Sequence, residues 1–291
     1  MKTIFLFISI SFSVFLYGQK TILWKISSNK GANVSYLLGT NHLFGKTFVD
    51  SFPVIEQKVL ASDIIITETK MDRPAITSSY DTRPVSDSIN LVLSKEDIDY
   101  ITELFKGRNT IPLSKISPGE LVIKLQTYYP KFSCSVLKND DRFSMDEYIQ
   151  RIGKSHDKRS YHLETDSFQI GLITTSFAKY NWDFAKRNVP LILKQYRNKR
   201  ASELSCFLIN RYAALDVDYK FKDSCNFLKG NTMSNDEFVK KRNEAWMAQL
   251  PGLLEKNNCF IAVGFGHLCN QCGLIKQIEA LGYLVEPVTM K

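Results

Sequence analysis

The chain has 291 residues, of which 44% are hydrophobic and 23% charged, enough apolar material for a sizeable core and too much for global disorder. Its 38 Lys and Arg against 30 Asp and Glu leave a net charge of +8, with basic residues recurring around 186–200 and 240–242. These read as solvated helix faces or as attraction to an anionic envelope surface, and no nucleic-acid partner is predicted.

The first residues have the pattern of an export signal: Lys2, an apolar run over 4–16, and Gly18 before Gln19. That run is shorter than the ~20 residues needed to span a bilayer. Cleavage near residue 18 is therefore expected, giving an exported protein, periplasmic or extracellular, that spans 19–291 and has no transmembrane segment. Six cysteines suit an oxidising compartment. Cys206 and Cys225 flank one local segment and are expected to close it, and Cys269 and Cys272 to form a second, local disulfide that stiffens their loop.

Apolar stretches at 22–24 and 34–38 flank the turn-forming residues 27–31 and predict a β-hairpin. Residues 52–61 have helical spacing with Pro53 in the first turn, and 64–67 form an apolar strand ending at Glu68. A crossover of this kind places Glu68 beside His42 if the two strands pair directly. Residues 72–87 are rich in Ser, Thr, Pro and Asp and read as a surface loop.

Helices are predicted over 95–105, 118–128 and 145–152, introduced by Ser94, Ser117 and Ser144 as N-caps. A short strand is expected at 161–163, leading to Glu164. Residues 167–254 read as mainly helical, with breaks near 188–190 and 229–235. The end returns to a strand at 259–263, a helix at 274–281 stopped by Gly282, and a last strand at 283–288. The fold class is thus α/β: a central mixed β-sheet surrounded by helices, built from the N- and C-terminal regions, with a largely helical middle.

Two copies of Gly-x-x-His follow predicted strands, Gly39-Thr40-Asn41-His42 and Gly264-Phe265-Gly266-His267. Open sheets keep ligand sites at the carboxyl ends of their strands, so the two histidines converge despite the distance between them in sequence. His156 and His162 fall in a basic turn and a short strand and are assigned structural or solvent-facing places. No Gly-x-Ser-x-Gly elbow and no phosphate-binding Gly-rich loop is present, which disfavours serine hydrolases and nucleotide enzymes.

These strings, with Leu23-Trp24-Lys25-Ile26, Met145-Asp146, Leu163-Glu164-Thr165, Arg242-Asn243 and Gly282-Tyr283-Leu284-Val285-Glu286-Pro287, resemble the TraB/GumN family over nearly all of 19–291. The resemblance implies a single domain related to the erythromycin-esterase and ChaN-like group, whose Tiki members are described as divalent-metal-dependent proteases. It points to His42, His267 and Glu68 as ligands of Mn, Co or Zn, with Glu68 as the essential, catalytic glutamate. Neutral imidazoles and a carboxylate can hold such an ion and activate its bound water. Glu164 is open between ligand, general base and partner of a histidine, and Asp146 is expected to orient a histidine. Arg242 and Asn243 either bind a substrate carboxylate or anchor the neighbouring acids. Gly39, Gly264 and Gly266 are expected to permit tight backbone geometry. The Cys269–Cys272 pair departs from the family's commoner loop. The expected function is an exported metal-dependent hydrolase, a peptidase acting on a polypeptide or envelope-associated substrate. The alternative is a non-catalytic envelope protein that binds peptide, glycan or haem in the same pocket.

Overall fold

The computed structural model describes residues 20–28, 31–70, 80–106, 111–137, 143–177, 179–225 and 235–291. The first nineteen residues with the expected export signal, the first half of the 72–87 loop and nearly all of the break at 229–235 lie outside them.

Six strands form one sheet: β1 (Leu23–Ser28), β2 (Val34–Thr40), β3 (Ile64–Thr67), β4 (Arg159–His162), β5 (Cys259–Gly264) and β6 (Tyr283–Pro287), in the order β4-β3-β5-β2-β1-β6. The hairpin β1/β2 is antiparallel, with Leu23 opposite Leu38, and β6 adds antiparallel to β1. The remaining pairs are parallel, with Thr40 opposite Gly264, Thr67 opposite Ala262, and Thr67 opposite His162. Four carboxyl ends therefore emerge along one edge. β2 and β3 do not pair directly as expected, because β5 lies between them. Its sequence, Cys-Phe-Ile-Ala-Val-Gly, is buried on both faces over Cys259–Val263, which suits the centre of a covered parallel sheet and no edge position.

The crossover between β2 and β3 contains α1 (Lys46–Asp50) and α2 (Pro53–Leu60). The helical middle comprises α3 (Ser88–Val92), α4 (Lys95–Phe105), α5 (Pro118–Ser133), α6 (Met145–Ser155), α7 (Asp166–Phe177), α8 (Trp182–Arg197) and α9 (Lys199–Ala213). The predicted caps are present. Ser94, Ser117 and Ser144 each accept from the backbone N–H three residues on, and Glu120 completes a capping box by accepting from the N–H of Ser117 at 2.9 Å.

The break expected at 188–190 is absent, since α8 runs unbroken through Pro190. An interior proline costs about 3 kcal/mol. Ala185, Val189, Ile192 and Leu193 on the same helix are buried, and at about 1.5–3 kcal/mol for each large side chain their packing outweighs the loss. Asn188 also donates from its side chain to the carbonyl of Phe184 at 2.8 Å. These residues join Ile101, Phe105, Leu121 and Leu125 in a hydrophobic cluster distinct from the one around the sheet.

The chain returns to the sheet through α10 (Asn235–Met247) and α11 (Leu250–Lys256), and α12 (Leu274–Ala280) connects β5 to β6. The disulfides are Cys134–Cys206 and Cys225–Cys272, while Cys259 and Cys269 are free and buried. Both expected pairings are thereby corrected. Cys206 closes α5 onto α9, and Cys272 turns away from Cys269 to meet Cys225. No helix among the described residues is long and apolar enough to cross a membrane.

Candidate functional site

Glu68 follows directly on β3 and Glu164 stands one residue beyond β4, after Leu163, and the pairing of the two strands continues up to them, with the N–H of Glu164 donating to the carbonyl of Glu68 at 2.9 Å. This register brings the two carboxylates together. Between them stands Arg242 from α10, whose side chain is only 5% exposed. Its Nε donates to Glu164 Oε2 at 3.0 Å, its Nη2 to Glu68 Oε2 at 2.6 Å and to Glu164 Oε1, and its Nη1 to His267 Nε2 at 2.9 Å. Four of the five guanidinium N–H groups are thus committed within the protein. Of the two roles left open for Arg242, anchoring the neighbouring acids is the one observed.

One turn along α10 from Arg242, Trp246 packs beneath the guanidinium at 4.7 Å and against the His267 ring at 4.2 Å, and its Nε1 donates to Glu164 at 3.2 Å. Gln169 from α7 reaches Glu164 Oε1 at 3.2 Å and Glu68 Oε2 at 3.4 Å. Neither residue stands out in the sequence, since a Trp in an amphipathic helix reads as core and a Gln near a helix start reads as surface.

His267 lies in the short 3-10 turn Phe265–Leu268 that follows β5. Its Nδ1 meets Asn243 Oδ1 at 2.6 Å, while its Nε2 accepts from Arg242. A ring that accepts at Nε2 must carry its proton on Nδ1, so His267 is a neutral imidazole of fixed tautomer. Burial pushes it down to about 3, and the charges of Arg242 and His42 reinforce that against the opposing pull of Glu68.

For Glu68 burial works in the other direction, raising the carboxyl, but His267, Arg242 and His42 together with the Gly264 N–H outweigh it and hold the group at about 2. With His267 neutral, the charges that remain beside Glu68 are Arg242 and the His42 imidazolium. The Gly264 N–H donates to Glu68 Oε1 at 2.7 Å. A Cβ on Gly264 would stand 3.2 Å from that oxygen, so the glycine is what admits the carboxylate. Gly39 similarly faces Leu268 and Phe265, with 3.0 Å and 3.1 Å to a built Cβ. Gly266 has open space where a side chain would go. The tight geometry expected of all three glycines thus holds for Gly39 and Gly264 only.

His42 emerges past β2 and is different in kind. Its Nδ1 contacts Asp146 Oδ2 at 2.6 Å, and Asp146, near the start of α6 and itself buried, is fixed by Thr40 Oγ1 at 2.6 Å. The His42 side chain is 58% exposed. Asp146 pushes it up to about 9, against the cost of partial burial and with a smaller contribution from Glu68. Of the two histidines expected in the site, Asp146 is thus brought to His42. His156 and His162 are bound locally, through Ser155 and the Ile152 carbonyl and through Thr67 respectively.

As arranged, His42, Glu68 and His267 do not fit a divalent ion. The Nε2 of His267 accepts from Arg242, the guanidinium already supplies a positive charge to Glu68, and the described residues contain no group of three or more His, Cys, Asp or Glu placed to hold a metal.

The fold and the site define an α/β protein with a buried Glu-Arg-Glu-His network at the carboxyl edge of its parallel strands and an exposed histidine pinned beside it. The model of the TraB/PrgY/gumN family matches residues 22–287, nearly the whole chain, and the protein belongs to that family. No curated protein and no solved structure matches it.

Proposed function

We propose that this protein is an exported hydrolase that cleaves a peptide bond in a polypeptide or envelope-associated substrate, with His42 as its proton-transfer group. The observation that carries the reading is the His42–Asp146 pair. One ring nitrogen is held 2.6 Å from a buried carboxylate while the ring remains more than half exposed past the carboxyl end of β2, the arrangement by which a histidine is oriented for acid–base work. Raised to about 9, His42 holds its proton at neutral pH and is suited to deliver it to a leaving amine. Glu68, ionised down to about pH 2, supplies a fixed negative field beside it. Arg242 keeps Glu68 and Glu164 apart from substrate and in register. The two disulfides support an oxidising compartment and hence export.

A requirement for Mn, Co or Zn is the competing form of the same reading, and it needs Arg242 to leave His267 and Glu68. The deciding experiment is peptide turnover by the mature protein, with and without chelator, for wild type, His42→Ala and Asp146→Asn. Turnover that survives chelation and is lost in both variants supports the reading. Turnover restored only by added ion selects the metal-dependent form, and no turnover under any condition removes the hydrolase.

A second reading has its own observation: a half-exposed imidazolium at neutral pH is an anion-capturing group. A non-catalytic binder predicts saturable peptide binding that is lost in His42→Ala, without product.

A further inference from the structure

β6 ends the sheet on one side, and its backbone is bonded on one flank only. Val288, just past the strand, donates its N–H to the Leu23 carbonyl at 2.9 Å, and Lys25 stands opposite Glu286, so the backbone groups of Leu284, Glu286 and Val288 point inward at β1. β1 keeps the same alternation on its other side, where Ile22 accepts from the Gly39 N–H at 2.9 Å. The N–H and C=O groups of Tyr283 and Val285 therefore point outward, and among the described residues no strand lies beyond them. Pro287, next in that alternation, presents a carbonyl and no N–H. Leu281 and Leu284 beside this edge are 52% and 51% exposed. The other edge strand, β4, carries the exposed Arg159, a charge of the kind that discourages pairing. On β6 the charge of Glu286 is already met by Lys25 at 3.6 Å.

We propose that β6 is a self-association edge, to which a second copy of this chain adds its own β6 antiparallel across a two-fold axis, joining the two sheets into one. The backbone is self-complementary in this arrangement. With the axis at Leu284, Tyr283 of each copy faces Val285 of the other, and every outward N–H of both strands finds an outward carbonyl. Leu284 then meets its own counterpart at a non-hydrogen-bonded position, where side chains approach most closely. Glu286 faces Gly282, which offers no side chain to oppose it. Neighbouring registers are poorer. An axis at Val285 keeps the bonds but sets Leu284 against the Glu286 carboxylate, an axis at Glu286 sets the two carboxylates against each other, and an axis at Tyr283 leaves Val285 facing the turn at Leu281. A foreign extended segment would satisfy the same backbone groups, but only the symmetric register matches Leu284 to an equal apolar side chain and Glu286 to an empty position. An isologous contact of this kind closes at two copies. Pro287 ends it early, so the contact is small and the dimer forms with rising concentration rather than permanently.

The test does not depend on turnover. Sedimentation velocity is run on the mature protein over a concentration series for wild type and Leu284→Lys, with mild oxidation of Leu284→Cys and Glu286→Cys alongside. Wild type should move toward twice the monomer mass, while Leu284→Lys, which sets like charges against each other across the axis, should stay monomeric with an unchanged circular dichroism spectrum. Leu284→Cys should trap a covalent dimer and Glu286→Cys should not, because only position 284 faces itself. Hydrogen exchange at the Tyr283 and Val285 amides should slow as wild type is concentrated. A monomer at every concentration without the selective cross-link overturns the proposal, as does a dimer that Leu284→Lys leaves intact or equal cross-linking from both cysteines. Slow exchange of those two amides in dilute monomer also overturns it, since another segment of the chain then holds the edge. If Leu284→Lys does not fold, the paired cysteine variants and the wild-type exchange still decide.

Discussion

Replacing Arg242 with Met removes the charge between Glu68 and Glu164 and leaves most of the volume. The two carboxylates are 8% and 4% exposed, so the variant must hold two nearly buried negative groups without a partner. Breaking such a network from one side costs about 3–5 kcal/mol. The Glu68 carboxyl reports the network as a whole, with Arg242 as one of several contributors. Its depression from 4.5 to about 2 corresponds to roughly 3 kcal/mol, present above pH 4.5 and lost as pH falls through about 2. In the variant the sign reverses. With the guanidinium gone, burial, the largest influence on Glu68, is opposed by His42 and the Gly264 N–H without Arg242 and raises its carboxyl above the unfolded value, so the group favours the folded state below about pH 4.5 and loses that contribution as pH rises. Urea unfolding with both disulfides intact, at pH 5 and pH 7, measures both effects. Both proteins carry the opposed contributions of His267, which favours the folded state toward pH 7, and His42, which favours it toward pH 5, so the variant is read against wild type at each pH, and relative to it Arg242→Met should lose about 1 kcal/mol per pH unit as Glu68 ionises. A loss below about 1 kcal/mol at pH 7, or the same pH dependence as wild type, would refute the argument that Arg242 is the counter-ion. Adding Glu68→Gln and Glu164→Gln should recover much of the loss, since neutral amides need no counter-ion.

Asp146→Asn removes the charge that raises His42, and an NMR titration of the ring should move from about 9 toward its ordinary 6.5, whereas a midpoint still near 9 would assign the shift elsewhere. Gly264→Ala crowds Glu68 Oε1, 3.2 Å from the added Cβ, lengthens its bond to the Gly264 N–H and should cost about 1 kcal/mol, while Gly266→Ala, with open space at its Cβ, should stay within about 0.5 kcal/mol; thermal unfolding compares them, and equal losses would contradict the geometry. Replacing Cys134 and Cys206 together by Ala opens a loop with a sequence separation of 72, and chain entropy sets the loss at about 4 kcal/mol. A denaturant midpoint unmoved from wild type would sink that estimate.

Where elements carried their own signals, the sequence was readable. Ser94, Ser117 and Ser144 fixed helix starts, and the apolar run 64–67 ending in Glu68 marked a strand and its acid together. His42, Asp146, Glu164, Arg242, Asn243 and His267 were visible through motif order and do gather at one edge. What connects them was not visible. Which strand lies between β2 and β3 depends on burial on both faces of β5, not on chain order. The engagement of His267 Nε2 by Arg242 depends on the facing of α10, which a list of residue types suited to metal cannot anticipate. Cysteine pairing failed for a similar reason. Proximity in sequence favoured Cys206 with Cys225 and Cys269 with Cys272, while the packing of α9 on α5 and of the 219–225 segment on the loop after His267 chose otherwise.

The position of β5 bears on how the molecule comes into being. It is the hub of the sheet, yet it is encoded at 259–264, after nearly all of its neighbours. Until it inserts, β2 and β3 each lack a flanking strand, and the β1/β2 hairpin and the β3/β4 pair are separate pieces with open edges. Closing that gap is a long-range step of the kind that slows folding and exposes edges to other chains. The histidines and acids delivered by β2, β3 and β5 meet only in that step, so a chain cut short of it is expected to be inert, and the exposed interval favours holding the unfinished protein extended until residues 259–264 have arrived.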